Sequence, residues 1–93
     1  MKRAHLVVTG RVQGVLFRRY VREMARELGI TGWVKNTLDG DVEIICEGKE
    51  KNLVSFISFI YKGPPMARVK EVKVEYEECK SKEDDFTIRE FGF

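Results

Sequence analysis

Two glycines and two arginines surround the junction between an apolar run and a helix-like segment, in the sequence GRVQGVLFRRY at residues 10–20. Gly10 and Gly14 fall in the connection, and Arg18 and Arg19 fall in the first turn of the helical pattern. The amides of a first helical turn lack partners within the helix, and the helix dipole favours negative charge there. The stretch is neither a Walker loop nor a GxGxxG fingerprint. From these residues alone, we interpret it as a binding site for phosphate or carboxylate.

The composition limits the classes of protein to consider. The 93 residues are 43% hydrophobic and 34% charged, with a net charge of +2 and both signs interspersed. Such a chain is expected to form one domain, residues 1–93, around a single core, with no nucleic-acid or membrane partner. The apolar run after the basic start ends at Thr9, and no window approaches the ~18 apolar residues of a membrane span. We therefore expect a cytoplasmic protein without a signal peptide.

Hydrophobic periodicity predicts the elements that position these residues. Strands are predicted over 4–12, 31–36, 41–47, 67–78 and 86–91, and helices over 17–28 and 50–61. The order β-α-β-β-α-β, plus one further strand, is typical of a ferredoxin-like α+β sandwich. In that fold two helices pack on one face of a four- to five-stranded, mainly antiparallel sheet. The alternating charges of the fourth strand indicate a position near a sheet edge.

The topology predicts which chemical groups converge. The first and second strands run the same way, with the third antiparallel between them, so the ends of both emerge at one edge of the sheet. This arrangement brings Arg18 near Asn36. An arginine can clamp a tetrahedral oxyanion through two parallel hydrogen bonds, and amides around residues 14–17 can take the remaining oxygens. An asparagine can hold a water molecule but cannot deprotonate it.

These segments contain no histidine, cysteine or pair of carboxylates to act as base, nucleophile or acid. The chemistry must then rely on positioning, a good leaving group and a substrate oxygen that accepts the proton. Each residue also has a simpler interpretation. Arg18 alone is by default a solvated helix charge, and Asn36 alone could begin the Asp-Gly turn that follows it. Their joint placement favours the functional interpretation.

The stretches GRVQGVLFRRY, LGITGWVKNTLDGDVEI and GPPMARV resemble the acylphosphatase family in order and spacing, over nearly the whole chain. The combination of VQGVxFR with GWVxN is more specific than either glycine alone. The resemblance implies a small, cofactor-free hydrolase that splits acyl phosphates into a carboxylate and inorganic phosphate. Inorganic phosphate would be both product and inhibitor. We expect a monomer, because the sequence shows no apolar surface run.

The resemblance also implies roles for individual residues. The arginine that ends VQGVxFR, here Arg18, binds the phosphoryl group, and the asparagine of GWVxN, here Asn36, orients the attacking water. Loop amides complete the phosphate cradle, at positions Gln13, Gly14, Val15, Leu16 and Phe17. The substrate's own phosphate accepts the proton of the water. A carboxylate leaving group, whose pKa is about 4, needs no general acid at neutral pH.

One position departs from the usual family pattern. The variable residue of VQGVxFR is often glycine, and here it is Leu16. A left-handed backbone at this residue would cost a leucine roughly 1–2 kcal/mol. Because the family tolerates other residues there, we expect an ordinary backbone angle at Leu16 and intact chemistry. Its bulk is expected to narrow the mouth of the site.

Other classes of function compete with hydrolysis. A non-catalytic anion-binding module of the same fold stays open. An RNA-binding module of this topology needs aromatic residues on its central strands, and AHLVVTGRV and DVEIICE carry none. A metal carrier of this fold would need a CxxC loop, which is absent. Cys46 and Cys79 are predicted to be free thiols. They lie at the ends of the third and fourth strands, which the first strand separates. The resulting two strand spacings, about 9.6 Å, exceed the ~7 Å limit between the Cα atoms of a disulfide.

Overall fold

A computed structural model describes residues 1–90 of the chain. Its elements, in chain order, are β1 (Lys2–Arg11), α1 (Phe17–Glu27), β2 (Thr31–Asn36), β3 (Val42–Gly48), α2 (Glu50–Lys62), β4 (Arg68–Glu77) and β5 (Phe86–Arg89). The predicted ferredoxin-like order is confirmed, and the boundaries lie within two residues of those predicted. The predicted end of the last strand, residue 91, lies outside the described residues.

The sheet is mixed, with the strand order β4-β1-β3-β2-β5. β3 pairs antiparallel with both β1 and β2, β4 pairs antiparallel with β1, and β5 pairs parallel with β2. β1 and β2 therefore run in the same direction, and their last residues, Arg11 and Asn36, lie at the same edge of the sheet. The predicted position of β4 at a sheet edge is confirmed.

The core lies between the helices and one face of the sheet. Alternate residues of β1 face it (Ala4, Leu6 and Val8), as do the buried residues of α1 (Phe17, Val21 and Ala25) and of α2 (Leu53, Phe56, Ile57 and Ile60). The periods of two and 3.6 residues place these side chains on single faces of their elements. Because the apolar face of α1 is buried against the sheet, the first turn of this helix is held just beyond the end of β1. Within residues 1–90, no helix is long and apolar enough to cross a membrane.

The opposite face of the sheet holds a buried ionic cluster. β4 and β5 lie at opposite edges, so the connection between them has to pass from one edge to the other. Glu47 secures this connection, since its carboxylate accepts hydrogen bonds from the backbone N–H of Ser81 at 3.0 Å and of Lys80 at 3.4 Å. The Arg3 guanidinium donates to Glu47 at 3.1 Å and to Glu77 at 2.9 Å. Glu47 is 3% exposed and Arg3 is 8% exposed, so water screens their interaction poorly.

Burial on its own would raise the pKa of Glu47. The Ser81 amide, the Arg3 guanidinium and the Lys80 amide together outweigh that effect and hold the pKa below its usual range. A carboxylate whose pKa is lower in the folded than in the unfolded state stabilises the fold above its unfolded pKa. That stabilisation is lost as the pH falls through the folded pKa, so Glu47 contributes to the acid sensitivity of the protein.

Replacement of Glu47 by glutamine tests this cluster. We expect Glu47→Gln to lower the free energy of unfolding at pH 7 by about 2–4 kcal/mol, because Arg3 loses its buried charge partner and keeps only the more exposed Glu77. The loss of stability between pH 7 and pH 3 should be smaller than in the wild type. Urea unfolding at a series of pH values measures both effects, with Glu27→Gln on the exposed face of α1 as the control. An acid sensitivity equal to the wild type would contradict the assignment.

The two cysteines differ in their surroundings, and both are free in the structure. Cys46 is buried and its thiol donates to the Ala4 carbonyl at 3.5 Å, whereas Cys79 is exposed. Burial raises the pKa of Cys46 to about 12, which suppresses the reactive thiolate. We expect one thiol to react rapidly with a thiol reagent in the native protein and two after denaturation without reductant. A count below two in the denatured protein would contradict the prediction of free thiols.

Candidate active site

A cavity of about 350 Å³ opens at the sheet edge where β1 and β2 end. Its walls come from the β1–α1 loop and first turn of α1 (Val12, Gly14, Leu16, Phe17, Arg18 and Arg19), from β2 (Asn36) and from the end of the chain's described part (Ile88 and Glu90). The structure therefore brings Arg18 and Asn36 into one cavity, as the topology predicted. A larger groove of about 530 Å³, on the α2 side of α1, contains neither residue.

The side chain of Asn36 provides a hydrogen-bond acceptor that is already in position before a ligand binds. It is the last residue of β2, it pairs with Val42 of β3, and only 8% of it is exposed. Its carbonyl oxygen Oδ1 is buried and has no hydrogen-bond partner among residues 1–90. A buried acceptor without a partner costs about 1–3 kcal/mol. A ligand that donates a hydrogen bond to Oδ1 would remove this cost.

Arg18 and Arg19 lie side by side in sequence but differ in their partners. Arg19 Nε donates to Glu23 Oε1 at 3.3 Å, which is an exposed pair one helical turn apart. Arg18 is half-buried and takes part in no salt bridge within the described part of the chain. Its guanidinium thus lines the cavity with its donors available for an anion. This difference favours Arg18 over Arg19 as the anion-binding residue.

The loop between β1 and α1 is held by a side chain whose role the sequence did not reveal. Gln13 Nε2 donates to the carbonyl oxygens of Thr37 at 2.9 Å and Asp41 at 2.8 Å. The loop is therefore tied to the turn that follows Asn36. Gln13 and Val15 do not line the cavity, and Val15 packs into the core instead. Of the five predicted cradle positions, the other three line the cavity, namely Gly14, Leu16 and Phe17.

The expectation of an ordinary backbone angle at Leu16 is wrong. This residue has φ 62° and ψ 22°, in the left-handed region, and it caps the N-terminus of α1. Its neighbours Val15 and Phe17 are both buried in the core, so the chain has to turn sharply between them. The residue is left 73% exposed in the cavity wall. A leucine in this conformation costs roughly 1–2 kcal/mol.

The sequence did not predict that two residues from the C-terminal part of the chain would line the cavity. Ile88 and Glu90 reach the cavity because β5 pairs parallel with β2, with Ile88 opposite Val34. The parallel pairing of a short edge strand leaves no local pattern in the sequence, although the alternation of Phe86 and Ile88 indicated which residues share a face. Glu90 adds a carboxylate to a cavity that otherwise contains arginines.

The chemistry available in this cavity follows from its wall. Arg18 can bind an anion, and Asn36 can orient a water molecule, while the wall residues within the described part of the chain include no histidine or cysteine. Among residues 1–90, no group of three or more histidine, cysteine or acidic side chains is placed to hold a metal ion. The arrangement suits the binding of a tetrahedral anion next to an oriented water.

Leu16→Gly tests the strain directly. Glycine adopts a positive φ without a steric penalty but loses more conformational entropy on folding, so we expect a net gain of about 0.5–1 kcal/mol in the free energy of unfolding. Leu16→Val should instead lower it by about 1 kcal/mol, since a β-branched residue is least compatible with this conformation. Chemical denaturation of the three proteins measures both differences. A destabilised glycine variant would show that Leu16 contributes more through packing than it costs in strain.

The chain is similar to known proteins over nearly its whole length. The family model described as Acylphosphatase matches residues 4–88. An acylphosphatase from Chloroflexus aurantiacus is 49% identical over 86 residues, which cover 92% of this chain and 94% of that protein. An acylphosphatase from Pyrobaculum islandicum is 46% identical over 87 residues, covering 92% of each chain.

The fold agrees with these relatives. The crystal structure of acylphosphatase from Bacillus subtilis superposes with a TM-score of 0.92 at 38% identity, covering 96% of this chain and 99% of that one. At this coverage the match includes the loop, the first turn of α1 and the strands that form the cavity. The chain therefore belongs to the acylphosphatase family.

Proposed function

We propose that this protein hydrolyses acyl phosphates to a carboxylate and inorganic phosphate in the cavity between the β1–α1 loop and the end of β2. Its family supports the reaction, and one structural observation supports the location. Among residues 1–90, a half-buried guanidinium without a salt-bridge partner, Arg18, shares the cavity with a buried carbonyl oxygen without a hydrogen-bond partner, Asn36 Oδ1. One group suits an anion and the other suits a water molecule, which are the two components of a hydrolysis.

Arg18 and the loop amides are proposed to bind the phosphoryl group. The guanidinium offers parallel N–H donors that match two phosphoryl oxygens, which a lysine ammonium cannot reproduce. Backbone N–H groups at Gly14, Leu16 and Phe17, the predicted cradle positions that line the cavity, are proposed to complete the cradle, with the helix dipole of α1 adding favourable potential. These donors are fixed before substrate arrives, because Gln13 ties the loop and Phe17 anchors the helix. Preorganised donors stabilise charge that develops in the transition state.

Asn36 is proposed to orient the attacking water through Oδ1. The water oxygen attacks phosphorus, the bond between phosphorus and the acyl oxygen breaks, and the carboxylate leaves with the bonding electrons. A phosphoryl oxygen accepts the proton of the water, so no protein base is required. A carboxylate with a pKa of about 4 also leaves without a general acid. The sequence of steps therefore needs only the groups that the cavity contains.

The same proposal covers the wider properties of the chain. Residues 1–93 would act as one acylphosphatase domain, monomeric and without a cofactor, with a low-molecular-weight acyl phosphate as substrate. Inorganic phosphate, as a product that keeps the tetrahedral oxygens recognised by Arg18, would inhibit competitively. If phosphate binds and inhibits at this same cavity, its dissociation constant from isothermal titration calorimetry should equal its inhibition constant from a competition assay.

Two variants and their matched controls test the assignment. We expect Arg18→Lys and Asn36→Ala each to reduce kcat/KM about 100-fold or more, because each removes an interaction aimed at the transition state. Arg18→Lys should also weaken inhibition by phosphate, whereas Asn36→Ala should lower kcat and leave that inhibition nearly unchanged. Phosphate release from acetyl phosphate and benzoyl phosphate in the presence of a chelator is the measurement. Arg26→Lys, two turns further along α1, and Asn52→Ala on α2 are the controls.

The outcomes separate the competing functions. Near-normal turnover in both cavity variants, with circular dichroism and melting temperature like those of the wild type, would refute the assignment of the site. Phosphate binding by the wild type without any hydrolysis would instead support a non-catalytic anion-binding module of the same fold. Loss of activity in the controls as well would indicate damage to the fold rather than to the cavity.

A further inference from the structure

Leu16 is the one bulky side chain of the cavity wall that combines backbone strain with exposure. Its φ of 62° is unfavourable for a leucine, and 73% of the residue is open to solvent. The other exposed large apolar residues of the described chain lie on backbone without that strain, such as Val54 at 58% in α2. A strained residue persists when the surroundings enforce it or when the strain serves binding or catalysis. The buried neighbours of Leu16 enforce its left-handed backbone conformation. They do not require a large apolar side chain at this position.

Packing within the protein does not account for that choice. Burial of a leucine side chain contributes about 1.5–3 kcal/mol, but a side chain that is mostly exposed recovers little of this. Glycine would fit the same backbone without strain, and Gly14 shows that the loop already uses glycine at φ 71°. An apolar side chain presented to solvent at the wall of a binding cavity is therefore best explained by a contact made with the bound molecule.

The orientation of the substrate identifies the part that Leu16 meets. If the phosphoryl group occupies the cradle formed by the loop amides and Arg18, the acyl group has to extend from it toward the opening. Leu16 lies in the same wall and is open to solvent, so it flanks that path. Ile88 adds partly exposed apolar surface to the cavity, with the buried side chains of Val12 and Phe17 behind the wall, whereas Glu90 adds a negative charge. An uncharged, apolar acyl group suits this wall better than an acyl group that carries a second anion.

We infer that Leu16 is a specificity-determining residue that contacts the acyl group and makes the site favour acyl phosphates with an apolar, uncharged acyl group, such as an aryl group, over small ones. This inference rests on the proposed function. The contact acts on binding of the acyl moiety and leaves the phosphoryl cradle unchanged. Contact between an aryl ring and one leucine removes enough apolar surface from water to change a ratio of rate constants about five- to tenfold.

The test compares two substrates in three variants. The measured quantity is kcat/KM for benzoyl phosphate divided by kcat/KM for acetyl phosphate, relative to the same quotient in the wild type, so that intrinsic reactivity cancels. Leu16→Asn keeps a branched side chain of similar size that tolerates the left-handed conformation but is polar. Leu16→Gly removes the side chain and the strain together. Val54→Ala, an exposed apolar position on α2, is the control.

We expect the quotient to fall about five- to tenfold in both Leu16 variants, mainly through KM for benzoyl phosphate, and to stay unchanged in Val54→Ala. In Leu16→Asn the inhibition constant of inorganic phosphate should change less than about twofold, because asparagine keeps the left-handed backbone and its N–H in place and phosphate makes no acyl contact. An unchanged quotient, or an equal fall in activity on both substrates, would overturn the inference and leave the proposed function standing. Absence of hydrolysis by the wild type would refute the proposed function and this inference together.

Discussion

The pairing of β3 between β1 and β2 is the constraint on which the rest of the molecule depends. It makes β1 and β2 run the same way, although they are joined by a helix and are not neighbours in the sheet. Gly32 permits this close pairing, because a Cβ atom at that position would collide with the carbonyl group of Ile45. A slip of one residue would turn every side chain of β3 to the other face. The cavity at the strand ends exists only in the observed register.

The residues that stabilise the fold and the residues that form the cavity lie in different parts of the molecule. The apolar core fills the space between the helices and the sheet, and the ionic cluster of Arg3, Glu47 and Glu77 secures the β4–β5 connection on the opposite face. The cavity lies at a strand-end edge, where backbone donors are not used by the sheet. The Arg18 and Asn36 groups, which have no partner within residues 1–90, are therefore tolerated at the edge, because the core and the buried cluster stabilise the fold independently of them.

The β1–α1 loop shows how a tertiary contact can fix a strained conformation. Val15 and Phe17 are both drawn into the core, and Gln13 is hydrogen-bonded to the turn after β2. These contacts leave Leu16 with a left-handed backbone and an exposed side chain. The same contacts hold the loop rigid beside Arg18. Rigidity of the loop and strain at one of its residues thus have a common physical origin.

The sequence by itself determined the elements, their order and the convergence of Arg18 with Asn36. These features depend on periodicity, on glycine and proline signals, and on the limited number of topologies open to such a chain. Only the tertiary structure decided the backbone angle of Leu16, the tie made by Gln13 and the arrival of Ile88 and Glu90 in the cavity. Periodicity reports which face of an element is buried. The conformation of a single loop residue depends instead on which neighbours the core captures, and that is fixed by contacts between residues distant in sequence.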